Sequence, residues 1–208
     1  MSESTNLKKK AGTKLKIIDS FIRLLGTKRF DKITVRELCE EAEIVRSTFY
    51  THYQSVYDLI EEMENDLLDE LAYFISEEDL ANSHALRYTG PERHETIFSV
   101  PLDSTFRFFQ AIDRNKKSLI ALLSENGDPY FEIRLKKQLE RDINLMMDTE
   151  GIPNDMLRPY FSEVMVSLQL NLLKYWIQAE NRADIEYICQ ISNVIRAGSI
   201  FINFSKPE

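Results

Sequence analysis

Glycine and proline, the residues that interrupt helices and shape tight turns, are scarce in this sequence. Each occurs only six times among 208 residues, against usual frequencies of about 7% and 5%. β-Hairpins and phosphate-binding loops both depend on such residues. Their scarcity therefore disfavours β-sandwiches, β-barrels and nucleotide-binding α/β folds.

Cysteine is scarce as well. Cys39 and Cys189 lie far apart and form no CxxC pair, which argues against a disulfide framework or a zinc finger. We predict that both are buried free thiols in a reducing cytosol.

His84 and His94 have no cysteine or carboxylate at metal-ligand spacing, so we predict surface histidines and neither a metal nor a cofactor. Because the sequence also lacks a glycine-rich phosphate loop, we predict that the protein is not an enzyme.

Long apolar runs are missing too. The most apolar later stretch, residues 164–176, contains Gln169, Asn171 and Lys174 and is shorter than the ~18 uncharged residues of a membrane span. The first 12 residues carry three lysines with no apolar run behind them, so no secretory signal is predicted. We therefore predict a cytoplasmic protein without a membrane partner.

Charge is unevenly distributed along the chain. The net charge is −8 and the isoelectric point is near 5.1, yet residues 8–36 contain ten basic and two acidic side chains, a local +8. Residues 59–208 contain 15 basic and 26 acidic side chains, a net −11. A basic N-terminal region on an acidic body is typical of a protein that contacts DNA phosphates at one end. A solvated lysine tail is the alternative interpretation of the same charges.

Apolar residues recur at helical spacing along the chain and predict an all-α fold. The first helix runs through Leu15 to Leu25 and stops at Gly26, where glycine favours a left-handed cap. The segment Thr34–Glu37 is a capping box that opens a second helix to about Ala42. A short third helix, residues 45–52, places Phe49 and Tyr53 one turn apart on an inward face.

Two short helices joined by a tight turn, after a scaffold helix, are the parts of a helix-turn-helix. The outward side of the third helix offers Arg46, Ser47, Thr48, Tyr50 and Thr51 to base edges in a major groove. Arginine can bind guanine or a phosphate, and a threonine methyl can pack on thymine. Tyr50, together with His52, is better placed to bind phosphates. From periodicity alone, a three-helix bundle of ordinary surface residues is an equally good interpretation.

Residues 33–42, ITVRELCEEA, and residues 46–53, RSTFYTHY, resemble the DNA-binding domain of the TetR/AcrR family. The remainder of the chain is similar to the branch of dihydroxyacetone kinase regulators, through SENGDP at residues 124–129 and YWI at residues 175–177. The resemblance implies a DNA-binding domain over residues 1–58 and a larger helical regulatory and dimerisation domain over residues 59–208. It also implies a homodimer that binds a palindromic operator in double-stranded DNA, usually as a repressor, under control of a small-molecule effector.

Carried over by position, the family's DNA contacts fall on seven residues of this chain, and the face of the third helix adds Thr51. The seven are Thr34, Arg36, Arg46, Ser47, Thr48, Tyr50 and His52.

Three positions depart from the family pattern. Glu43 replaces the usual turn glycine and is expected to adopt a positive φ at a cost of about 1 kcal/mol. Val45 replaces the usual serine cap of the third helix, and Val56 replaces a phosphate-binding lysine. The nearby acidic cluster of Glu40, Glu41 and Glu43 is taken to face solvent.

The body of the chain is predicted to hold a ligand pocket and a dimer interface. Middle helices supply the pocket candidates Phe106, Phe109, Leu123, Tyr130, Phe131 and Met165, which at helical spacing are equally typical of simple core. The last two helices supply the interface candidates Leu168, Leu172, Tyr175, Ile188, Ile191, Ile195, Gly198 and Ile202.

The predicted function is that of a DNA-binding transcriptional regulator. A helical protein-interaction module that has lost DNA binding is the alternative, since Glu43, Val45 and the acidic cluster all weaken the DNA-binding pattern.

Overall fold

The computed structural model describes residues 2–72, 103–149 and 153–200. These ranges contain nine α-helices, one 3₁₀ helix at Phe30–Lys32 and no β-strand. We number the α-helices in chain order as α1 (Ser2–Leu25), α2 (Val35–Glu41), α3 (Arg46–Tyr50), α4 (Val56–Ala72), α5 (Asp103–Arg114), α6 (Lys116–Leu122), α7 (Pro129–Thr149), α8 (Arg158–Gln178) and α9 (Ile185–Ile200). The prediction of an all-α fold is confirmed.

Residue contacts divide the chain into two compact units. The first unit contains the described residues of Met1–Leu67 and Lys117–Glu132, and the second those of Leu68–Lys116 and Ile133–Glu208. The first unit thus combines the N-terminal helices with α6 and the start of α7. The predicted boundary after residue 58 concerns the division of function and stays a prediction.

The first unit has a core of fully buried apolar side chains to which each of its first four α-helices contributes. Members of this core include Ile17 and Phe21 of α1, Leu38 of α2, Phe49 of α3 and Leu59 of α4. α1 ends at Leu25 as predicted, but the predicted left-handed cap is wrong, because Gly26 has no positive φ. The Gly26 N–H instead donates to the carbonyl oxygens of Ile22 at 3.3 Å and Arg23 at 3.1 Å, which continues the helical pattern of hydrogen bonds. This burial makes α1 the scaffold against which the two short helices pack.

The second unit is built around α9, which packs against α5 and α8. Trp176 of α8 meets Phe109 edge to face at 5.4 Å between ring centroids, and its indole N–H donates to the carbonyl of Ala183 at 2.8 Å. The guanidinium of Arg182 lies 4.3 Å from the centroid of the Trp176 ring and pairs with Asp113 of α5. These contacts fix the turn between α8 and α9. Both cysteines are free and buried, as predicted.

Several predictions fall on residues that the structure does not describe. His84 and His94 lie outside the described ranges, as does Ile202. Among the helices in the described part of the chain, none is both long enough and apolar enough to span a membrane.

Candidate nucleic-acid interface

A capping box fixes the start of α2. The Thr34 hydroxyl accepts from the Glu37 N–H at 3.3 Å, and the Glu37 carboxylate accepts from the Thr34 N–H at 3.0 Å, as the sequence predicts. Lys28 adds an ion pair to the same carboxylate. The Lys28 ammonium, followed by the two donors of Thr34, lowers the pKa of Glu37 to about 2. Glu37 therefore stays ionised near neutral pH, and the first turn of α2 keeps its cap.

The turn between α2 and α3 shows both of the expected departures from the family pattern. Glu43 has a φ of 54°, the one positive value among non-glycine residues in the described ranges. The Ile44 N–H donates to the Cys39 carbonyl at 3.0 Å, which holds the turn closed. Val45 occupies the N-cap of α3 with extended backbone and no side-chain hydrogen bond. The turn therefore forms without its usual glycine and serine, at the cost of local strain.

Buried aromatic side chains anchor α3 to the rest of the first unit. Phe49 and Tyr53 are buried, as the periodicity predicts, with ring centroids 5.8 Å apart. The Tyr53 hydroxyl donates to Glu62 of α4 at 3.2 Å, and Lys14 of α1 pairs with the same carboxylate at 2.6 Å. Burial, with help from the nearby Glu62 charge, raises the pKa of Tyr53. The phenol therefore stays protonated and links α3 to α4.

The other side chains of α3 and of the residue that follows it are more accessible. Arg46, Ser47, Tyr50 and Thr51 are exposed, and Thr48 is half-buried. The Thr51 hydroxyl donates to the Thr48 carbonyl at 2.7 Å, so its proton is already used within the helix. The structure thus brings these five predicted residues together on one short segment, which the buried rings of Phe49 and Tyr53 anchor.

His52 follows α3 and is half-buried. Burial, followed by the positive charge of Lys10, lowers the pKa of His52. At neutral pH its imidazole is therefore mostly uncharged, so it can donate a hydrogen bond to a phosphate but adds little charge.

Thr34 and Arg36 lie at the start of α2, and both are exposed. The Thr34 hydroxyl also donates to the Glu37 carboxylate at 2.8 Å. Arg36 pairs with Glu40 at 3.2 Å on the helix surface. Exposed pairs of this kind contribute at most about 1 kcal/mol, so Arg36 can exchange its partner for a phosphate.

The acidic cluster beside the turn is exposed, as expected. Glu41 pairs with Arg23 at 2.6 Å, and Glu40 pairs with Arg36 at 3.2 Å. Both partners are positively charged, so the two pairs reduce the repulsion that the cluster would exert on phosphates. Val56 is buried, which accords with the expected loss of a phosphate contact there.

Sequence reasoning missed one contributor to this region, Asn126 in the loop between α6 and α7. Its side-chain amide donates to the Leu25 carbonyl at the end of α1 at 2.8 Å. The backbone carbonyl of Asn126 accepts from the Phe30 N–H at 2.8 Å. These contacts join segments about a hundred residues apart, so no local spacing indicates them.

The predicted pocket residues are divided between the two units. Phe106, Phe109 and Met165 belong to the second unit, whereas Leu123, Tyr130 and Phe131 belong to the first. Phe109, Phe131 and Met165 are buried, and Tyr130 is 68% exposed.

The second unit contains a cavity of about 490 Å³, and of the six predicted pocket residues Phe106 lines it. The other lining residues are Trp176, Arg182, Ala183, Asp184, Ile185 and Glu186.

Apart from Ile202, which the structure does not describe, the predicted dimer residues lie on α8 and α9. Leu168, Tyr175 and Ile191 are exposed, while Leu172 and Ile195 are half-buried. Ile188 is only 3% exposed, so it packs within the core of the chain rather than at its surface. Gly198 is part of α9.

Two family models match the chain. Residues 17–63 match the bacterial regulatory proteins of the tetR family, and residues 101–196 match a transcriptional regulator C-terminal region. The two segments together cover well over half of the chain. The chain belongs to the TetR family. Members of this family are transcriptional regulators and not enzymes. No curated protein matches the chain.

Solved structures of TetR regulators share the fold. A regulator from Streptococcus agalactiae 2603V is 24% identical with a TM-score of 0.57, over 92% of this chain and 97% of its own. A TetR-family regulator from Syntrophomonas wolfei is 13% identical with a TM-score of 0.59, over 94% and 99%. The dihydroxyacetone kinase operon activator DhaS is 16% identical with a TM-score of 0.56, over 91% and 97%. At these sequence identities, the similarity to the solved structures shows a shared fold and nothing further.

Proposed function

We propose that this TetR-family protein is a cytoplasmic repressor that binds a palindromic operator as a homodimer and leaves it when a small effector binds. The observation that carries the proposal is the two-sided character of α3. Phe49 of α3 and Tyr53, which follows the helix, are buried and anchor it, while Arg46, Ser47 and Tyr50 of the same helix are exposed. An anchored short helix with a free polar side suits insertion into a major groove.

Exposed apolar residues on α8 and α9 support the homodimer. On α8 these are Tyr160, Val164, Leu168 and Tyr175, spaced by whole helical turns, and α9 adds Tyr187, Ile191 and Val194. A surface of this kind is a frequent site of self-association, and two helices from each protomer can form a four-helix interface. A two-fold dimer would place two copies of α3 in successive major grooves, about 34–36 Å apart.

The effector is proposed to act by shifting a two-state equilibrium. A ligand changes the balance only when it binds better to one arrangement of the protomers, here the one whose copies of α3 do not fit successive grooves. The cavity bounded by Phe106 and Trp176 is large enough for a small organic molecule. Repression is proposed as the usual activity of the family. DhaS is described as an activator. Transcription from the operator, measured with and without this protein, therefore decides whether the protein represses or activates.

Binding of duplex DNA tests the proposal. The protein is expected to bind a duplex selected from random sequence, with an affinity that falls by about a thousandfold between about 50 mM and 200 mM salt. The physical reason is that each phosphate contact releases a counterion, so a protein that contacts many phosphates has a steep salt slope. Fluorescence anisotropy over a salt series measures it. A protein-interaction module without DNA binding would show no such slope.

Arg46→Ala is expected to weaken binding to the selected duplex by about 1–3 kcal/mol. If Arg46 contacts a base, the variant also loses specificity at one position in each half-site. Arg114→Ala is the matched control, because Arg114 is an exposed arginine of the second unit that pairs with Glu70. Competition titrations with duplexes altered at single positions measure both effects. Unchanged affinity in Arg46→Ala would remove this residue from the interface.

Leu168→Glu is expected to convert the dimer into a monomer and to weaken operator binding at least about tenfold. The reason is that two linked DNA-binding domains bind the two half-sites of a palindrome more tightly than one domain binds alone. The buried carboxylate would lack a partner in the apolar interface. Lys137→Glu, at an exposed position of α7, is the control. Sedimentation velocity gives the mass of each species. A Leu168→Glu protein that still sediments as a dimer would place the interface elsewhere.

A further inference from the structure

The loop between α6 and α7 is tied to the region that precedes the helix-turn-helix. The amide group of Asn126 donates to the Leu25 carbonyl at 2.8 Å, and its backbone carbonyl accepts from the Phe30 N–H at 2.8 Å. One residue therefore contacts both ends of the segment that connects α1 to the 3₁₀ helix. These atoms all belong to the first unit.

The connecting segment leads directly to the start of α2. Leu25 is the last residue of α1, and Phe30 opens the 3₁₀ helix that precedes Thr34. Between them lies Lys28, whose ammonium pairs with Glu37 in the capping box of α2. A shift of this segment would move the Lys28 charge and the entry of the chain into α2. The orientation of α2, and of α3 packed against it, therefore depends on where Asn126 holds the segment.

The loop that carries Asn126 is itself well ordered by hydrogen bonds. The Ser124 hydroxyl donates to the Ala121 carbonyl at 2.7 Å and accepts from the Asn126 N–H at 3.3 Å. The Gly127 N–H donates to the Ser124 carbonyl at 3.1 Å. Asp128 caps α7 by accepting from the Tyr130 N–H at 2.9 Å. Asn126 is thus held at a fixed position relative to α6 and α7.

We propose that Asn126 is a positioning residue for the DNA-binding surface, acting through the segment between Leu25 and Phe30. The proposal rests on the proposed function, since it concerns how that surface is aligned. The residue type matters because the contact to Leu25 needs a side-chain donor. Aspartate has the same shape but would place a carboxylate oxygen against the Leu25 carbonyl, whereas alanine leaves that carbonyl without its donor.

Affinity for DNA, measured where every variant is fully folded, separates positioning from stability. Asn126→Ala and Asn126→Asp are each expected to bind the selected duplex about tenfold more weakly than the wild type. Their salt slopes stay unchanged, because the phosphate-binding residues are intact. The control is Asn115→Ala, which removes an amide that donates to Glu70 at 2.7 Å and to the Ala111 carbonyl at 3.0 Å in the second unit. It is expected to bind DNA within about twofold of the wild type.

Amide hydrogen exchange provides a second measurement. Exchange at the Phe30 N–H is expected to accelerate in both Asn126 variants while exchange in α5 and α8 keeps the wild-type rate. If Asn126→Ala does not fold, Ser124→Ala loosens the same loop more mildly and is expected to weaken DNA binding in the same direction.

Two results would overturn the proposal. Folded Asn126 variants with wild-type affinity would show that the residue only stabilises the loop. A wild-type protein that binds no duplex at any salt concentration would remove the proposed function, and the positioning role with it.

Discussion

Phe49→Ala is expected to lower the free energy of unfolding of the first unit by about 3–5 kcal/mol. Phe49 is completely buried, and its ring contacts those of Tyr50 and Tyr53 at centroid distances of 5.6 Å and 5.8 Å. Truncation leaves a cavity beneath a helix of only five residues, of which Phe49 is the one buried residue. Since domains are stable by only about 5–15 kcal/mol, DNA binding is expected to disappear as well.

Urea denaturation followed by circular dichroism measures the loss. Tyr50→Ala is the matched control, because Tyr50 is adjacent, aromatic and 57% exposed. It is expected to change the unfolding free energy by less than about 1 kcal/mol. Equal losses in the two variants would mean that Phe49 does not anchor α3.

Gly127→Ala is expected to destabilise the first unit by about 3 kcal/mol, at the upper end of the range for overpacking. An added Cβ would lie 2.0 Å from the Leu122 carbonyl oxygen and 2.6 Å from its carbon. Both are backbone atoms at the end of α6, so the loop or the helix must move to make room. Because Asn126 is the preceding residue, the movement is also expected to weaken DNA binding. Thermal unfolding and duplex titration measure the two effects.

Gly12→Ala is the control for this substitution and is expected to have the opposite sign. Gly12 lies within α1, and an added Cβ would meet no atom within 4 Å. Alanine is favoured over glycine in a helix interior by up to about 1 kcal/mol, so the midpoint of unfolding should rise. A destabilising effect of similar size in both variants would contradict the steric argument at Gly127.

Local patterns predicted the features that depend on neighbours in sequence. The Thr34–Glu37 capping box, the end of α1 at Gly26 and the burial of Phe49 and Tyr53 are confirmed, because each follows from spacing within one or two helical turns. The bounds of α3 were less well predicted. The helix spans Arg46–Tyr50 rather than residues 45–52, since Val45 is its N-cap and Thr51 its C-cap.

Features that depend on distant residues could not be predicted in this way. Asn126 contacts Leu25 across about a hundred residues, and periodicity carries no information on such pairs. Aromatic residues at helical spacing likewise do not reveal whether they fill a core or line a cavity. Phe109 and Phe131 are buried, whereas Phe106 lines a cavity. Ile188 shares the spacing of Ile191 but is buried, because α9 has neighbours on one side.

The composition of the first unit limits how this protein can be divided in the laboratory. Leu119, Leu122 and Phe131 are buried residues that belong to the first unit, although they follow α4 by many residues in sequence. A fragment that ends after α4 would lack these side chains and the Asn126 contacts. Chimeric regulators can be made by joining the DNA-binding domain of one relative to the regulatory domain of another. In such chimeras, residues 117–132 should be exchanged together with the N-terminal helices.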